Sequence, residues 1–414
     1  MEKYNYLIIG GGIAGVTAAE TIRQKDAVGS IAIVTNEPYK LYSRVMLSKP
    51  DFFLGKIPFD RVWMKSDEWY GVNKITFLNH KIATAIDAAG KSVSFADETK
   101  LAYEKLLLAT GACARRWNVP GADKKGIYYL RSLDDGKAIM GAIKTAKHAL
   151  IIGGGFIGFE MADLLRMANI NTTFVLLESY FWEPVLDEDA GRMVEKALLA
   201  GGVKIMHKAE VAEVLGSGSV EGVVLKDGTK LECDMVVCGI GTACTTDWLR
   251  ASGLQANQGI IVDERLRTNL PDVWAAGDVS EYKDIVLDET IHMGNWMNAR
   301  EQGKVAGLNM AGTETPFNLA SFYTAQGLGI SIVFVGDVRA SAGRGVVKRG
   351  SPAANSYGRI IVLDKGGRKE LEGAVLINRS SELMAIAKII EKNIDVSQKL
   401  RELGDEKFDL KTFL

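Results

Sequence analysis

The string LIIGGG occurs at residues 7–12 and again at residues 150–155. Each copy ends an apolar run and continues into one more spaced glycine, giving GGGIAG at residues 10–15 and GGGFIG at residues 153–158. Both match the pattern G-x-G-x-x-G between an apolar strand and a helix, which is the context in which the pattern binds a dinucleotide. The sequence therefore predicts two dinucleotide-binding turns in one chain.

The three glycines of such a turn have different tasks. The first permits a tight turn, the second lets the backbone approach a pyrophosphate, and the third allows helix and strand to pack closely. The pyrophosphate then lies on the N–H groups at the helix start, where the helix dipole also favours negative charge. One copy alone is also compatible with an ordinary glycine turn in an α/β sheet, whereas two copies in the same context favour nucleotide binding.

An acidic residue after the second strand of each unit is expected to bind ribose hydroxyls. Glu37 follows Gly10 by 27 residues and Glu178 follows Gly153 by 25, somewhat more than the usual ~20. Residues 179–186 (SYFWEPVL) contain no lysine or arginine to hold a 2′-phosphate, so NADH is preferred to NADPH. Two sites suggest two dinucleotides, as in a flavoprotein that accepts hydride from a nicotinamide cofactor.

Composition excludes several classes of protein. The chain has 414 residues, 47% of them hydrophobic and 24% charged, and a net charge of −1, so neither nucleic acid nor an anionic membrane is expected as a partner. No secretory signal starts the sequence and no apolar run approaches the ~18 residues of a membrane span, which predicts a cytoplasmic protein. Four cysteines without a Cys-x-x-Cys pattern and four scattered histidines give no reason to expect a metal site.

The order of the elements predicts an α/β fold. Strand, glycine turn, helix and strand follow one another up to Glu37 and again from Ala149 to Glu178, which favours parallel sheets with crossover helices. Residues 75–107 are typical of β-hairpins. From about Phe317 the composition changes, and strands at 330–335, 359–363 and 372–377 with a helix at 381–393 predict a small α+β domain.

Further strings accompany the glycine turns: YSRVMLSK at 42–49, LATGA at 108–112, YYLRSLDD at 128–135, TNLPDVWAAGD at 268–278 and NWMNAREQG at 295–303. With them the chain resembles the FAD-dependent pyridine-nucleotide oxidoreductases, and within these the rubredoxin and ferredoxin reductases and related NADH-binding flavoprotein subunits. The resemblance covers residues 1 to about 312 and is weaker beyond. It implies two Rossmann-like domains of the glutathione-reductase kind, with an FAD-binding domain at 1–116 and 243–316, an NAD(H)-binding domain at 117–242 and a C-terminal α+β domain at 317–414.

The resemblance also implies roles for single residues. In Y-x-R-x-x-L-S-K the arginine, here Arg44, lies near the phosphate or adenosine part of FAD, and the lysine, Lys49, approaches flavin N5. Glu160 corresponds to the glutamate that pairs with this lysine and faces the nicotinamide, so Lys49 and Glu160 are the candidate catalytic residues. Asp278 would bind the ribityl chain. The implied FAD-binding residues are Gly10, Gly12, Ala14, Gly15, Glu37, Arg44, Lys49, Ile82, Ala109, Thr110, Gly111, Arg131, Asp278 and Trp296. The implied NAD-binding residues are Gly153, Gly155, Phe156, Ile157, Gly158, Glu160, Glu178 and Gly241.

A missing cysteine narrows the chemistry. Disulfide reductases of this superfamily carry Cys-x4-Cys after the first unit, and coenzyme A disulfide reductases and NADH oxidases carry one cysteine, but LYSRVMLSK has none. Flavin alone must then pass electrons to another protein or a small oxidant. Basic residues at Arg115, Arg116, Arg339, Arg344, Lys348 and Arg349 are read either as a surface that steers an acidic carrier or as an ordinary solvated face.

Three hypotheses stay open. The first is an NADH oxidoreductase that reduces a rubredoxin- or ferredoxin-type carrier, and the second is the NADH-handling flavin subunit of a larger, metal-containing oxidoreductase. The third is an FAD-binding interaction protein with a degenerate nicotinamide site, because relatives place the ribose acid about two residues earlier, where this chain has Leu176. The resemblance also suggests a homodimer formed through the C-terminal domain.

Overall fold

The structure is a computed structural model and describes residues 1–339 and 343–414. The strands of the described residues are β1 (Glu2–Ile9), β2 (Ile31–Val34), β3 (Ile75–Leu78), β4 (Ala83–Asp87), β5 (Ser92–Phe95), β6 (Lys100–Leu108), β7 (Cys113–Ala114), β8 (Ile127–Tyr128), β9 (His148–Ile152), β10 (Asn171–Val175), β11 (Lys204–Met206), β12 (Val211–Leu215), β13 (Gly222–Leu225), β14 (Lys230–Glu232), β15 (Met235–Cys238), β16 (Thr242–Ala243), β17 (Ile260–Val262), β18 (Val273–Ala275), β19 (Ser280–Asp284), β20 (Glu289–His292), β21 (Phe322–Gly327), β22 (Ile330–Gly336), β23 (Arg344–Ser351), β24 (Ser356–Lys365) and β25 (Arg368–Ile377). The α-helices are α1 (Ile13–Lys25), α2 (Pro50–Phe53), α3 (Asp67–Val72), α4 (Leu133–Ala142), α5 (Phe156–Met167), α6 (Glu188–Ala200), α7 (Trp296–Met310) and α8 (Leu383–Glu391).

These elements form two compact units. The first unit comprises Met1–Ser43, Asp60–Cys113 and Thr242–Leu319. The second comprises Arg44–Phe59, Ala114–Gly241 and Ala320–Leu414. Among the described residues, no helix has both the length and the apolar character that crossing a lipid bilayer requires.

The first unit is built on a sheet of order β3-β2-β1-β6-β5-β4, with β18 also beside β6. β1 lies between β2 and β6 and is parallel to both, so Ile9 is level with Val34 and Leu108. β18 is parallel to β6 and brings Ala275 level with Leu108. The residues that follow β1, β6 and β18 therefore share the carboxyl edge of the sheet, where parallel α/β sheets bind ligands.

Helices α1 and α7 pack closely in this unit. Side chains on Gly303 and Gly307 of α7 would overlap the backbone carbonyls of Ala14 and Ala18. Glycine at both places lets the helix backbones approach each other, and it brings the start of α7 beside the first turn of α1.

The second unit holds a fully parallel sheet of order β11-β10-β9-β15-β8. Ile152 at the end of β9 is level with Val175 of β10 and Cys238 of β15. The second glycine turn thus opens at the same kind of edge as the first. The meander β12-β13-β14 and the antiparallel sheet β21-β22-β25-β24-β23 complete the unit, with α8 against the latter.

A buried arginine holds the end of the chain against this antiparallel sheet. Arg349 of β23 is 2% exposed, and its Nε donates to Glu382 Oε1 at 2.9 Å. Its Nη atoms donate to the backbone carbonyls of Leu403, Asp405, Glu406 and Phe408. One planar fork therefore satisfies four backbone acceptors of the C-terminal segment.

We expect Arg349→Met to lower the free energy of unfolding by about 3 kcal/mol or more, because it leaves buried carbonyls without donors. Denaturant unfolding measures the loss, and limited proteolysis should release the C-terminal segment first. The control is Lys348→Met on the same strand, since Lys348 is exposed and pairs with Asp189 at the surface; this substitution should cost less than ~1 kcal/mol. Equal losses for the two variants would contradict this account of Arg349.

The predicted α/β fold is confirmed, with corrections. β3 was expected in a hairpin but pairs in parallel with β2, because α3 precedes it as a crossover. The strand expected at 173–177 ends at Val175. Of the basic residues expected on one face at 339–350, Arg344 is buried against Asp337 and Glu372 and Arg349 is also buried, whereas Arg339 and Lys348 are exposed. Residues 340–342 of that stretch lie outside the described residues, and the three-domain division stays a prediction.

Candidate cofactor sites

The two glycine turns have the same construction. Gly10 and Gly153 have φ of +128° and +96°, a region that favours glycine. A side chain on Gly10 would overlap the Ala109 carbonyl after β6, and one on Gly153 would lie 2.6 Å from the Gly239 carbonyl oxygen after β15. The first glycine of each turn is therefore required by the neighbouring strand of its own sheet.

The remaining glycines of the two turns either pack against the neighbouring backbone or have open space beside them. Side chains on Gly15 and Gly158 would overlap the carbonyls of Gly10 and Gly153, so both are needed for helix–strand packing. Gly12 and Gly155 begin α1 and α5 with extended backbone, φ/ψ of −79°/−173° and −84°/−174°, and no side chain caps either helix. A side chain on Gly12 would meet nothing within 4 Å, and one on Gly155 only Gly239 O at 3.9 Å. Both helix starts are thus open, with uncapped N–H groups.

The turn at Gly277–Asp278 follows β18 at the edge shared with the first glycine turn. The Asp278 carbonyl contacts His292 Nε2 at 2.8 Å and accepts a hydrogen bond from Cys244 Sγ at 3.1 Å. A side chain on Gly294 would lie 2.9 Å from Asp278 Cγ, so glycine there leaves room for the carboxylate. The acid predicted to bind the ribityl chain is held by its backbone, while its carboxylate is only partly buried.

The other predicted FAD residues of the first unit lie around this edge or beyond it. Glu37, three residues after β2, accepts a hydrogen bond from Tyr42 at 2.7 Å. Directly after β6, Ala109 is buried and Thr110 is exposed. The remaining positions are Ala14, buried in α1; Gly111, with φ of +70°; Ile82, 57% exposed just before β4; and Trp296, partly buried as the first residue of α7.

The second unit joins two strings that are far apart in sequence. Arg44 Nη1 donates to the Arg131 carbonyl at 2.7 Å. Arg131 precedes α4, whose start carries a capping box formed by Ser132 and Asp135. Asp135 also accepts from the Arg131 N–H at 3.0 Å. The structure therefore brings Arg44 and Arg131 together, and their roles toward FAD stay predictions.

The same unit places Lys49 against Glu160, 111 residues away. Lys49 is the residue before α2, and its ammonium forms an ion pair with Glu160 Oε1 on α5. Glu160 is 5% exposed. Asp163 lies nearly one turn further along α5. Burial is the main cause that raises the pKa of its carboxyl, and the charge of Asp51 raises this pKa further. The hydrogen bond from the Leu328 N–H and the charge of Lys49 act in the opposite direction. A positive charge is thus fixed beside the first turns of α5.

The predicted ribose acid lies outside its strand. β10 ends at Val175, Leu176 is fully buried against Gly154, and Glu178 is partly exposed. The Glu178 carbonyl accepts from the Lys208 N–H at 3.2 Å. Gly241 follows β15 at the same edge with φ of +95°, and its carbonyl accepts from the Arg115 N–H at 3.0 Å. Leu176 is therefore a packing residue under the glycine turn, and Glu178 is the accessible acid.

Comparison with known proteins decides the family. Residues 4–303 match the family described as pyridine nucleotide-disulphide oxidoreductase. The chain belongs to this family. It is thus an oxidoreductase, and the predicted resemblance is confirmed.

Curated relatives share the family over most of the chain. A nitrite reductase [NAD(P)H] of Bacillus subtilis is 31% identical over 402 residues, 96% of this chain, which spans only 48% of that protein. The epsilon subunit of an NADH-dependent phenylglyoxylate dehydrogenase of Aromatoleum evansii is 30% identical over 405 residues, 96% of this chain and 94% of the subunit. A rubredoxin-NAD(+) reductase of Pseudomonas putida is 30% identical over 311 residues, 75% of this chain and 80% of that protein.

A solved structure agrees with these relatives. The covalent complex of putidaredoxin reductase with putidaredoxin matches at a TM-score of 0.91 and 27% identity, covering 100% of this chain and 98% of that one. The fold prediction, including the C-terminal part for which the sequence resemblance was weaker, is confirmed.

The cofactors of this family fit the residues present. The open helix start at Gly12 and the Asp278 turn suit FAD, and the matching open start at Gly155 suits a second nucleotide. Membership of the family implies FAD and NADH, and the prediction of both is confirmed. The role of each single site residue stays a prediction.

Two of the four cysteines of this chain are unavailable for the disulfide chemistry that the family name suggests. Cys233 and Cys238 are buried in β-sheet surroundings, and burial raises the pKa of each thiol to about 12. Such thiols stay protonated and unreactive. The part of the chain that matches Y-x-R-x-x-L-S-K has no cysteine either.

The structure also reveals an aromatic cluster that the sequence analysis missed. The ring of Phe156, first residue of α5, stacks on Tyr323 at 3.6 Å between centroids and meets Trp182 edge-on at 4.3 Å. Phe334 contacts both Phe156 and Trp182. Trp182 has φ of +67°, uncommon for a bulky residue. The adjacent aromatics in SYFWEP, directly after Glu178, were a signal available in the sequence.

Proposed function

We propose that the chain oxidises NADH by hydride transfer to FAD and passes the electrons to a protein electron carrier of the rubredoxin or ferredoxin type. The observation that carries this proposal is the ion pair between Lys49 and the buried Glu160, at a place where disulfide reductases carry cysteine. FAD, when bound, accepts a hydride and returns its electrons to the acceptor.

The chain's own residues supply binding and electrostatics. The uncapped start of α5 receives the nucleotide diphosphate, and Glu178 takes the ribose hydroxyls. Glu160 fixes Lys49, whose ammonium would supply positive charge that stabilises the negative charge developing during hydride transfer. The paired charges keep one orientation because the burial of Glu160 makes separation costly.

A protein carrier is favoured over a disulfide as the acceptor. Two of the four thiols of the chain are held protonated by burial, and no cysteine pair stands beside the cofactor strings. The rubredoxin-NAD(+) reductase and the putidaredoxin reductase complex, both named for small electron carriers, support this choice.

A second candidate is the NADH- and FAD-handling subunit of a larger oxidoreductase. The phenylglyoxylate dehydrogenase subunit supports it, since that subunit has nearly the same extent as this chain. The nitrite reductase also supports it, because the chain corresponds to about half of that protein. The third hypothesis, a degenerate nicotinamide site, receives no support, because the second glycine turn has the same construction as the first.

The two candidates differ in which electron acceptors the purified chain reduces. With NADH present, the proposal expects rapid reduction of rubredoxin or ferredoxin in addition to small dyes. Reduction of dyes alone, together with recovery of a tightly associated subunit on purification, would favour the second candidate.

We also propose a cytoplasmic location and a homodimer, the latter tested by sedimentation.

NADH is expected to be preferred to NADPH, and Glu178 is expected to carry the preference. Glu178→Ala should lower kcat/KM for NADH about tenfold and narrow the ratio between the two nucleotides, because it removes the ribose acceptor and the repulsion of a 2′-phosphate. Steady-state rates with both nucleotides measure this. The control is Glu188→Ala on α6, which should change neither value; an unchanged ratio in Glu178→Ala would place ribose recognition elsewhere.

A further inference from the structure

Cys244 and His292 share one hydrogen-bond acceptor, the backbone carbonyl of Asp278. Cys244 Sγ donates to this oxygen at 3.1 Å, and His292 Nε2 lies 2.8 Å from the same oxygen. A carbonyl can only accept, so His292 must carry a proton on Nε2 and donate it here. Sγ and Nε2 are themselves 3.5 Å apart, although 48 residues separate them in sequence. Two distant side chains therefore hold one backbone atom.

The first unit fixes both donors. β20 pairs with β19 in antiparallel register, which sets His292 opposite Glu281. A side chain on Gly259 would lie 3.0 Å from His292 Cδ2, so the imidazole lies directly against the backbone there. Cys244 packs against the apolar core of the unit. The fold thus holds the two donors where the Asp278 carbonyl meets them.

The carbonyl that they hold belongs to the turn predicted to bind FAD. Gly277, the residue before Asp278, has φ of +84°, and a side chain on it would lie 3.1 Å from Ala14 Cβ in the first turn of α1. Asp278 itself is only partly buried. Two fixed donors on its carbonyl restrict the backbone that determines where its carboxylate points.

Cys244 differs from the other thiols of the chain. Cys233 and Cys238 are buried and Cys113 is exposed, whereas Cys244 is partly exposed and donates to a turn of a candidate cofactor site. A reagent that reaches this sulfur replaces the thiol hydrogen and so removes the donor to Asp278. It also adds bulk beside the imidazole, which is only 3.5 Å away. Modification of this one sulfur is therefore expected to disturb the Asp278 turn.

We propose that Cys244 and His292 position Asp278 for FAD, and that the Cys244 thiol is a site at which small disulfides lower the affinity for the flavin. In this exchange the thiol gives its proton to solvent, its sulfur bonds to one sulfur of the disulfide, and the other sulfur leaves as a thiolate. Excess thiol reverses the exchange. The proposal rests on FAD binding with Asp278 at the ribityl chain, and it is independent of the electron acceptor.

Equilibrium dialysis of the FAD-loaded chain tests the positioning role. Cys244→Ala removes one donor and should raise the Kd for FAD about three- to tenfold, the usual value of one neutral hydrogen bond. Cys244→Ser keeps a donor and should stay within about twofold of the unsubstituted chain, so equal losses in the two variants would overturn the proposal. Asp278→Ala tests the acid separately and should raise the Kd further.

The last variant separates two kinds of failure. A higher Kd in Asp278→Ala without any change in Cys244→Ala would overturn the positioning role and leave the FAD site standing. An unchanged Kd in Asp278→Ala would overturn both the ribityl role of Asp278 and this proposal.

Thiol chemistry gives a second test that leaves Cys244 in place. Cys113→Ser makes Cys244 the accessible thiol, since Cys233 and Cys238 are buried. Methyl methanethiosulfonate transfers a methylthio group to a thiol and releases methanesulfinate. It should raise the Kd for FAD at least about tenfold in this variant, and dithiothreitol should restore the original value.

The matched control is the double variant Cys113→Ser with Cys244→Ser, whose Kd for FAD the reagent should leave unchanged. Mass spectrometry measures how much of Cys244 carries the methylthio group. An unchanged Kd when Cys244 is fully modified, or a Cys244 that stays unmodified in the folded chain, would contradict the proposal.

Discussion

Gly12→Ala is expected to give a folded protein that purifies without FAD. The backbone of Gly12 is extended, and the added methyl group would meet no atom within 4 Å, so the fold should tolerate it. The same methyl group would occupy the space in which a diphosphate reaches the N–H groups of α1. Loss of two such charge-assisted hydrogen bonds should raise the Kd for FAD at least about a hundredfold. Circular dichroism checks the fold, and flavin absorbance at equal protein concentration checks the cofactor.

Two matched substitutions test the reasoning. Gly155→Ala has the same backbone and the same open surroundings in the second turn, and should retain FAD but lose NADH affinity. Gly10→Ala would overlap the Ala109 carbonyl at φ +128°, and should impair folding itself. Full FAD content in Gly12→Ala, or loss of FAD in Gly155→Ala, would show that the two turns have been assigned to the wrong nucleotides.

Lys49→Met and Glu160→Gln are each expected to slow reduction of the bound cofactor by NADH about a hundredfold, the usual scale for removing one preorganised group that stabilises developing charge. The two substitutions should also shift the midpoint potential in opposite directions. Lys49→Met removes a positive charge and should lower it, whereas Glu160→Gln removes a negative charge and should raise it, each on the order of 30 mV. Rapid-mixing kinetics and potentiometric titration measure the two effects.

The pair should act as a unit. The double variant is expected to be little slower than either single variant, because each substitution alone already breaks the ion pair. Lys56→Met is the control, since Lys56 makes an exposed pair with Asp51 close in sequence to Lys49. Additive slowing in the double variant, or potentials that shift in the same direction, would contradict an electrostatic role for the pair.

The sequence predicted the features that depend on local spacing. Helix α5 occurs at Phe156–Met167 as expected. The glycine turn marks where it begins, and the apolar helix pattern continues to its last residues. The α/β class followed from two repeats of strand, turn and helix. The pairing of Lys49 with Glu160 was expected only through the family resemblance, since 111 residues separate them and no local pattern joins them.

Features that depend on tertiary packing were not predictable in this way. Arg349 belongs to a basic stretch, and only the folded chain shows that it is buried among backbone carbonyls. From the sequence, Leu176 argued against nucleotide binding at the second turn, because it stands where relatives have the ribose acid. The structure shows that Leu176 packs under Gly154. Cys244 resembles any isolated cysteine until the structure places it against His292 and the Asp278 carbonyl. In each case the partners come from distant segments, which a single sequence does not bring together.

Anaerobic rapid mixing of the FAD-loaded chain with NADH tests the central claim most directly. The account predicts that NADH bleaches the flavin absorbance, that NADPH does so more slowly, and that oxidised rubredoxin or ferredoxin then restores the absorbance. An FAD-loaded protein whose flavin absorbance stays unchanged at saturating NADH would contradict it.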